Sequence, residues 1–170
     1  CLNTGVLSPL LYLSTGVLNT RVASDADGLD DGLDRYASAT TEIDGLGLSV
    51  LGVLGELLSL DLSAVRSHAE VSGQQGHFVA SGASHLASAT LDTALTLPLS
   101  INVWDNFAPN TRVVDDLLGI SLIFNEQIEH CGADFCELTV NAINLGFNNV
   151  ALGVGNLLGL DGNILIGHSY

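Results

Sequence analysis

The sequence contains no lysine and no methionine, and four arginines are its only permanently basic side chains. Against these four stand 19 acidic residues in a chain of 170, so the formal net charge is −15. Without lysine, Schiff-base chemistry and a P-loop lysine are both excluded. A surface of this sign repels nucleic-acid phosphates and anionic lipid headgroups. We therefore expect no nucleic-acid partner.

Long uninterrupted apolar runs are also missing. The most apolar stretch, residues 45–60, is broken by four glycines and by Glu56. A membrane-spanning helix needs about 18 or more consecutive apolar residues, so we expect no transmembrane segment. Yet 47% of the residues are hydrophobic. This apolar surface must therefore be buried inside the fold or between chains.

The main secondary-structure signal is a period of two, in which apolar and polar side chains alternate. It runs through residues 58–64, 95–103, 118–124, 138–143 and 150–154. Such alternation is typical of strands with one face on a core, and glycine, asparagine and aspartate separate the runs. We predict an all-β fold, a β-sandwich of jelly-roll or immunoglobulin-like type. Leucine also favours helices, so residues 45–62 permit a helix, but their glycine density favours strands.

Composition changes near residue 37. Residues 2–22 are apolar with scattered polar positions, and five aspartates follow between residues 25 and 34. After them the sequence is rich in alanine, serine, glycine and leucine. We therefore divide the chain into an N-terminal arm with an acidic hinge, residues 1–36, and a body, residues 37–170.

Four short motifs follow one another in the second half of the body. They read PNT at 109–111, NEQ at 125–127, VNAI at 140–143 and ILIGHS at 164–169. On these motifs, residues 37–170 resemble the choice-of-anchor P family of secreted bacterial and archaeal surface proteins. The resemblance implies an extracellular all-β domain without known catalytic activity.

The acidic hinge resembles a twelve-residue calcium loop when Gly28 is aligned with its turn glycine. The oxygen ligands would then come from Asp25, Asp27, Leu29, Asp31 and Asp34. Carboxylate and carbonyl oxygens at alternating positions suit Ca²⁺, although the first ligand position holds Ala23. The other interpretation is a solvated hinge that its own charge keeps extended. The sequence leaves both open, and it indicates no other cofactor.

Three cysteines are present. Cys131 and Cys136 are separated by four residues between two predicted strands, which suits a disulfide that closes a hairpin in an oxidising compartment. Free thiols, or a zinc site with His130, are the alternatives. Cys1 fits a lipid-bearing first residue, an intermolecular thiol or an arbitrary start of the chain, and the sequence does not rank these. We expect an extracellular or cell-surface location.

The arm carries the main functional hypothesis. Its apolar residues include Val22 and the seven of the predicted intersubunit strand, which are Val6, Leu7, Leu10, Leu11, Leu13, Val17 and Leu18. Their burial requires either a place in the arm's own domain, as a first strand, or a place in a neighbouring subunit, as an added strand at an open sheet edge. A head-to-tail contact of the second kind does not close on itself and therefore propagates.

We therefore expect a structural subunit that polymerises with copies of itself into an extracellular, pilus-like filament or a surface layer. No constellation of nucleophile, base and oxyanion donors indicates an enzyme. The alternative is a monomeric calcium-binding adhesion domain at the cell surface, with or without a lipid on Cys1.

Overall fold

The computed structural model of the chain describes residues 11–25, 35–52, 55–74, 76–93, 99–101, 105–117, 119–151 and 159–170. Within these ranges every regular element is a β-strand, and the strands form two antiparallel sheets. The all-β prediction is confirmed, and the helix considered for residues 45–62 is replaced by strands. The strands are β1 (Leu11–Thr15), β2 (Leu18–Asp25), β3 (Arg35–Gly52), β4 (Gly55–Gln74), β5 (His77–Ala87), β6 (Ala89–Thr93), β7 (Leu99–Ile101), β8 (Asp105–Asn106), β9 (Thr111–Leu117), β10 (Ile120–Cys131), β11 (Cys136–Ala151) and β12 (Gly159–Ser169).

The larger sheet, sheet A, has the order β1-β3-β4-β5-β8, and β2 also pairs with β3. The remaining pairs join β6 to β4 and β7 to β6. Both β1 and β2 pair with β3 in one continuous register, from Leu11 opposite Val50 to Asp25 opposite Tyr36. Backbone hydrogen bonds continue through the two residues between β1 and β2. The described part of the arm therefore lies along an edge of sheet A as one interrupted strand.

The smaller sheet, sheet B, has the order β12-β11-β10-β9. The two sheets contribute to one hydrophobic core, in which Leu48 and Leu60 of sheet A meet Leu122 and Leu145 of sheet B. The apolar positions of residues 58–62 and 120–124 are buried, as their alternation predicted. Burial of this apolar surface is the main source of the fold's stability.

In the long strands of sheet A, the alternation of core-facing and outward-facing side chains shifts by one residue at a single row across the sheet. We name this row crease A. In β3, Ile43 and Leu46 are both buried although they lie three residues apart. Between them Gly45 has a φ of 78°, and Ser88, at the same row, has a φ of 47°. Ser63 occupies the register position between these two residues. Because Gly45 and Ser88 both adopt left-handed conformations, the side-chain alternation shifts at the same row in neighbouring strands. Pairing between the strands therefore resumes in the same register beyond that row.

Sheet B has a matching row, crease B. Asn125 in β10 has a φ of 52° and Gly167 in β12 has a φ of 64°. Both lie at the register position of Ala142, in the central strand β11. Glycine and asparagine tolerate the left-handed region better than other residues do. This explains why the NEQ and ILIGHS motifs carry them at these positions.

Small residues line the inner face of sheet A between crease A and the acidic hinge. They are Ala39, Thr41, Ser67, Ala69, Gly82 and Ser84. The two sheets approach closely here, because a Cβ added at Gly82 would lie 2.6 Å from Cγ2 of Val140. Hydroxyl groups bridge the sheets in the same region. The Ser67 and Ser169 Oγ atoms are 2.6 Å apart, and the Thr41 hydroxyl donates to the His168 carbonyl oxygen at 2.8 Å.

Candidate functional site

Three of the sequence motifs converge on Glu126, beside crease B. Its carboxylate accepts hydrogen bonds from the Nδ2 groups of Asn141 at 2.7 Å and Asn144 at 2.8 Å. The Nδ1 atom of His168 lies 2.7 Å from the Oδ1 atom of Asn141 and extends the network to β12. Charge-assisted hydrogen bonds of this kind are the stronger ones in proteins. Since both carboxylate oxygens are engaged by amides, the arrangement serves to hold β10, β11 and β12 together.

The other two side chains of the NEQ motif bond to the segment between β8 and β9 and to sheet A. Asn125 Nδ2 donates to the Phe107 carbonyl oxygen at 2.6 Å. Gln127 Nε2 donates at 2.8 Å to the carbonyl oxygen of Gly82 in sheet A. The first motif takes part as well, because Asn110 Oδ1 accepts the Gln127 backbone N–H at 3.0 Å. The motif residues therefore have a structural explanation, which is to fix crease B and to tie sheet B to sheet A.

The predicted disulfide between Cys131 and Cys136 is present, with the two Cα atoms 4.0 Å apart, at the end of the β10–β11 hairpin. The Glu129 carboxylate and the two sulfur atoms lie within 4.8 Å of one another. Disulfide sulfurs are not thiolates, however, so this group does not bind zinc while the disulfide is intact. His130 faces Glu137 instead, with 3.5 Å between its Nδ1 atom and the carboxylate.

An apolar groove of about 440 Å³ opens beside this hairpin, at the end of sheet A that adjoins the acidic hinge. The hairpin loop is fixed there because the Gly76 N–H donates to the Ala133 carbonyl oxygen at 2.7 Å. The apolar lining comes from both sheets and includes Val22, Ala39, Val71, Phe78, Phe135 and Leu138. In a chain with a net charge of −15, such a groove is suited to an apolar ligand or peptide.

Tyr170 also lines this groove. Its phenol donates a hydrogen bond to the Glu137 carboxylate at 2.8 Å. That hydrogen bond, and the negative charge of Glu137, raise the pKa of Tyr170 above its ordinary value. Tyr170 and Glu137 therefore form a polar part of the groove's rim.

Strand β2 exposes apolar side chains on the inner side of sheet A. Leu18 and Val22 lie opposite the buried residues Ile43 and Ala39 of β3, on the same side of the sheet. Yet they are 61% and 81% exposed. The reason is that β12, the edge strand of sheet B on this side, packs over β3 and β4. The inner face of β2, next to β3, is therefore left without a covering strand of sheet B. We name the strip between β12 and the inner face of β2 the edge notch. Among the described strands, β12 pairs only with β11, so its other edge borders this notch.

The structure separates the predicted intersubunit strand into parts. Leu11 and Leu13 are partly buried against the core of their own chain. Val17 and Leu18 are exposed. The remaining members, Val6, Leu7 and Leu10, lie outside the described residues. The intersubunit role of this segment stays a prediction.

The predicted calcium loop also falls largely outside the described residues. Asp25 is the last residue of β2 and is exposed. The other members, Asp27, Leu29, Asp31 and Asp34, lie in the range between β2 and β3 that the structure does not describe. Calcium binding therefore stays a prediction.

Sequence reasoning missed both the edge notch and the cluster of hydroxyl groups between the sheets, which come from Thr41, Ser67 and Ser169. A signal for the notch exists, since Leu18 and Val22 are four residues apart, and so on one face of a strand, just before the acidic hinge. The hydroxyl cluster has no local signal, because Thr41 and His168 are 127 residues apart in sequence.

Comparison with protein-family models, curated proteins and solved structures finds no match to this chain. The described part of the chain has no helix with the length and hydrophobicity that a membrane crossing requires. Function must therefore be argued from the fold, the edge notch and the groove.

Proposed function

We propose that the chain is the structural subunit of an extracellular homopolymer, a filament or a surface layer, assembled head to tail through its N-terminal segment. In this proposal the two sheets form a β-sandwich that lacks one strand beside β12. The observation that carries it is the edge notch, where Leu18 and Val22 occupy core-facing positions without a cover. Apolar side chains at such positions favour a protein partner.

The N-terminal segment has the composition of that partner. Residues 2–10 contain no charged side chain and include Val6, Leu7 and Leu10. An added strand gains backbone hydrogen bonds along the edge together with apolar burial. The Cys131–Cys136 disulfide supports a location in an oxidising compartment. The proposal assigns the chain no enzymatic activity.

Light scattering and negative-stain electron microscopy of the full chain, over a range of concentrations with and without calcium, test this function. We expect polymers whose mass grows with concentration. Leu7→Asp should abolish them, because the substitution places a charge on the apolar segment. Asn3→Asp adds the same charge at a polar position and should leave polymers intact.

A full chain that stays monomeric under all these conditions would contradict the proposed function. A calcium-dependent monomer would then favour the adhesion domain instead. Equal polymerisation of Leu7→Asp and the unsubstituted chain would show that assembly does not use this segment.

A further inference from the structure

We infer that the edge notch is the acceptor site for residues 2–10 of a second copy of this chain. The incoming segment pairs with the free edge of β12 and covers Leu18 and Val22 of β2. This inference rests on the proposed function and specifies which surface of the neighbouring subunit receives the segment. It differs from a general association of apolar surfaces, because it names one edge and one face.

Three apolar residues of the segment, Val6, Leu7 and Leu10, are too close to Leu11 to reach the notch of their own chain. Leu11 lies opposite Val50, eleven residues along the sheet from Val22. At about 3.3 Å per residue this separation is about 36 Å along the strand. Leu7 precedes Leu11 by four residues, so it reaches at most about 14 Å from it, and even Leu2 reaches only about 32 Å. Leu18, the nearer residue of the notch, is about 23 Å from Leu11, whereas Val6 reaches at most about 18 Å from it. Val6, Leu7 and Leu10 therefore fill a notch only when they come from a second copy.

The same positions set the direction of assembly. Residues 2–10 are attached at the end of sheet A where Leu11 pairs with Val50. The notch runs toward the other end, where β2 ends at Asp25 and the apolar groove opens. Donor and acceptor therefore lie at opposite ends of one subunit. Contacts between opposite ends repeat from copy to copy and produce a chain of subunits.

Length and backbone chemistry also fit. Nine residues in an extended conformation cover about 30 Å, and the eight residues of β2 cover about 26 Å. The end of β12, from Gly167 to Ser169, lies near the rows of Leu18 and Thr20 and presents backbone groups that such a strand can pair with. Pro9 lacks an N–H group, which is tolerated because an added strand has an outer edge that needs no donor. Beyond Val22 the notch continues into the apolar groove, which Phe135 and Leu138 line on the side of sheet B.

A charge placed in the notch tests the inference in the full chain. Val22→Asp puts a carboxylate on the inner face of β2, at a side chain too exposed to matter for folding. Asn19→Asp puts the same charge on the same strand but on the opposite face, where Asn19 lines a polar depression beside Glu42. We expect Val22→Asp to reduce the polymer mass measured by light scattering at least tenfold. Asn19→Asp should change it less than twofold, and both should keep the melting temperature within a few degrees.

Crosslinking identifies the occupant. In a Cys1→Ser background, Leu7→Cys combined with Val22→Cys should give a ladder of covalent oligomers with a short bismaleimide. Leu7→Cys combined with Asn19→Cys should not, because residue 19 faces away from the notch.

The outcomes separate the inference from the proposed function. Two results together support the acceptor site. Val22→Asp loses the polymers while Asn19→Asp keeps them, and the Leu7→Cys/Val22→Cys variant gives the ladder while the Leu7→Cys/Asn19→Cys variant does not. Polymers that form equally in Val22→Asp and Asn19→Asp would overturn the acceptor site while leaving the polymer itself established. An unsubstituted chain that never polymerises would overturn both.

Discussion

Alanine substitution of three glycines separates backbone strain from crowding at the creases. Gly167, in crease B, has a φ of 64°, and an added Cβ would lie 2.9 Å from the Ala142 Cβ and 3.3 Å from the Val65 Cγ1. Gly45, in crease A, has a φ of 78° but no atom within 4 Å of an added Cβ. The first glycine therefore combines strain with crowding, and the second has strain alone.

The expected free energies follow from these two contributions. A side chain in the left-handed region costs about 1–2 kcal/mol, so Gly45→Ala should lower the free energy of unfolding by that amount. Forcing an extra methyl group into a packed interior costs about 1–3 kcal/mol more. Gly167→Ala should therefore lower the free energy of unfolding by about 2–5 kcal/mol.

Gly82→Ala supplies the third case, crowding without a left-handed backbone. Its added Cβ would lie 2.6 Å from Cγ2 of Val140 and 3.1 Å from Cδ of Gln127. Both neighbours are side-chain atoms rather than backbone, and the fully buried Val140 must move to make room. The expected loss is about 1–3 kcal/mol, the crowding contribution alone.

Urea unfolding followed by circular dichroism measures all three variants against the unsubstituted chain. Equal m-values show that the compared states are the same. Gly167→Ala should be the least stable of the three. If Gly167→Ala is no less stable than Gly45→Ala, the packing of β12 against Ala142 and Val65 described above is wrong.

Three further predictions concern the disulfide, the polar part of the groove's rim and the Glu126 network. Replacing Cys131 and Cys136 by serine should lower the unfolding free energy by about 2 kcal/mol in urea titrations, because the closed loop is short; no loss would show that the disulfide does not constrain the chain. Glu137 raises the pKa of Tyr170 above 10.0. Any stability from this contact is therefore present below the pKa that Tyr170 has in the unfolded chain, and it is lost as the pH rises through the pKa of Tyr170 in the folded chain. Ultraviolet titration should show a lower Tyr170 pKa in Glu137→Gln, and an unchanged pKa would contradict the contact. Glu126→Ala leaves two buried asparagine amides without their acceptor, which should cost about 1–3 kcal/mol for each in the same urea assay. A loss below 1 kcal/mol would show that the network is not structural.

The core strands were predictable because one face of each is buried. Leu58, Leu60 and Leu62 alternate with polar residues, and burial follows that alternation. The creases were not predictable, because the sequence has 19 glycines, and of those in the described ranges only some adopt a positive φ. Gly82 shows the difficulty, since it serves close packing of the sheets rather than a turn. Local sequence does not distinguish these two uses of glycine.

The contacts around Glu126 needed the three-dimensional structure for a different reason. The sequence identified its motif and those of its partners, but their meeting depends on strand order in sheet B. Long-range pairing of this kind is determined by topology, and local periodicity does not encode it. The arm shows the same limit. Its apolar residues required burial, but alternation alone could not divide them between Leu13, which packs on its own core, and Val22, which does not.

The extent of sheet B accounts for this division of the arm, and crease A marks the boundary between the two parts. On one side of it, β1 places Leu11 and Leu13 against the core of its own chain. On the other side, β2 continues in the same register, but sheet B does not extend over it, so Leu18 and Val22 stay uncovered. The chain therefore folds with the described part of its arm attached and keeps a narrow apolar strip exposed. The net charge of −15 disfavours random association through this strip, and in the proposed assembly an uncharged strand is the partner that gains most from binding there.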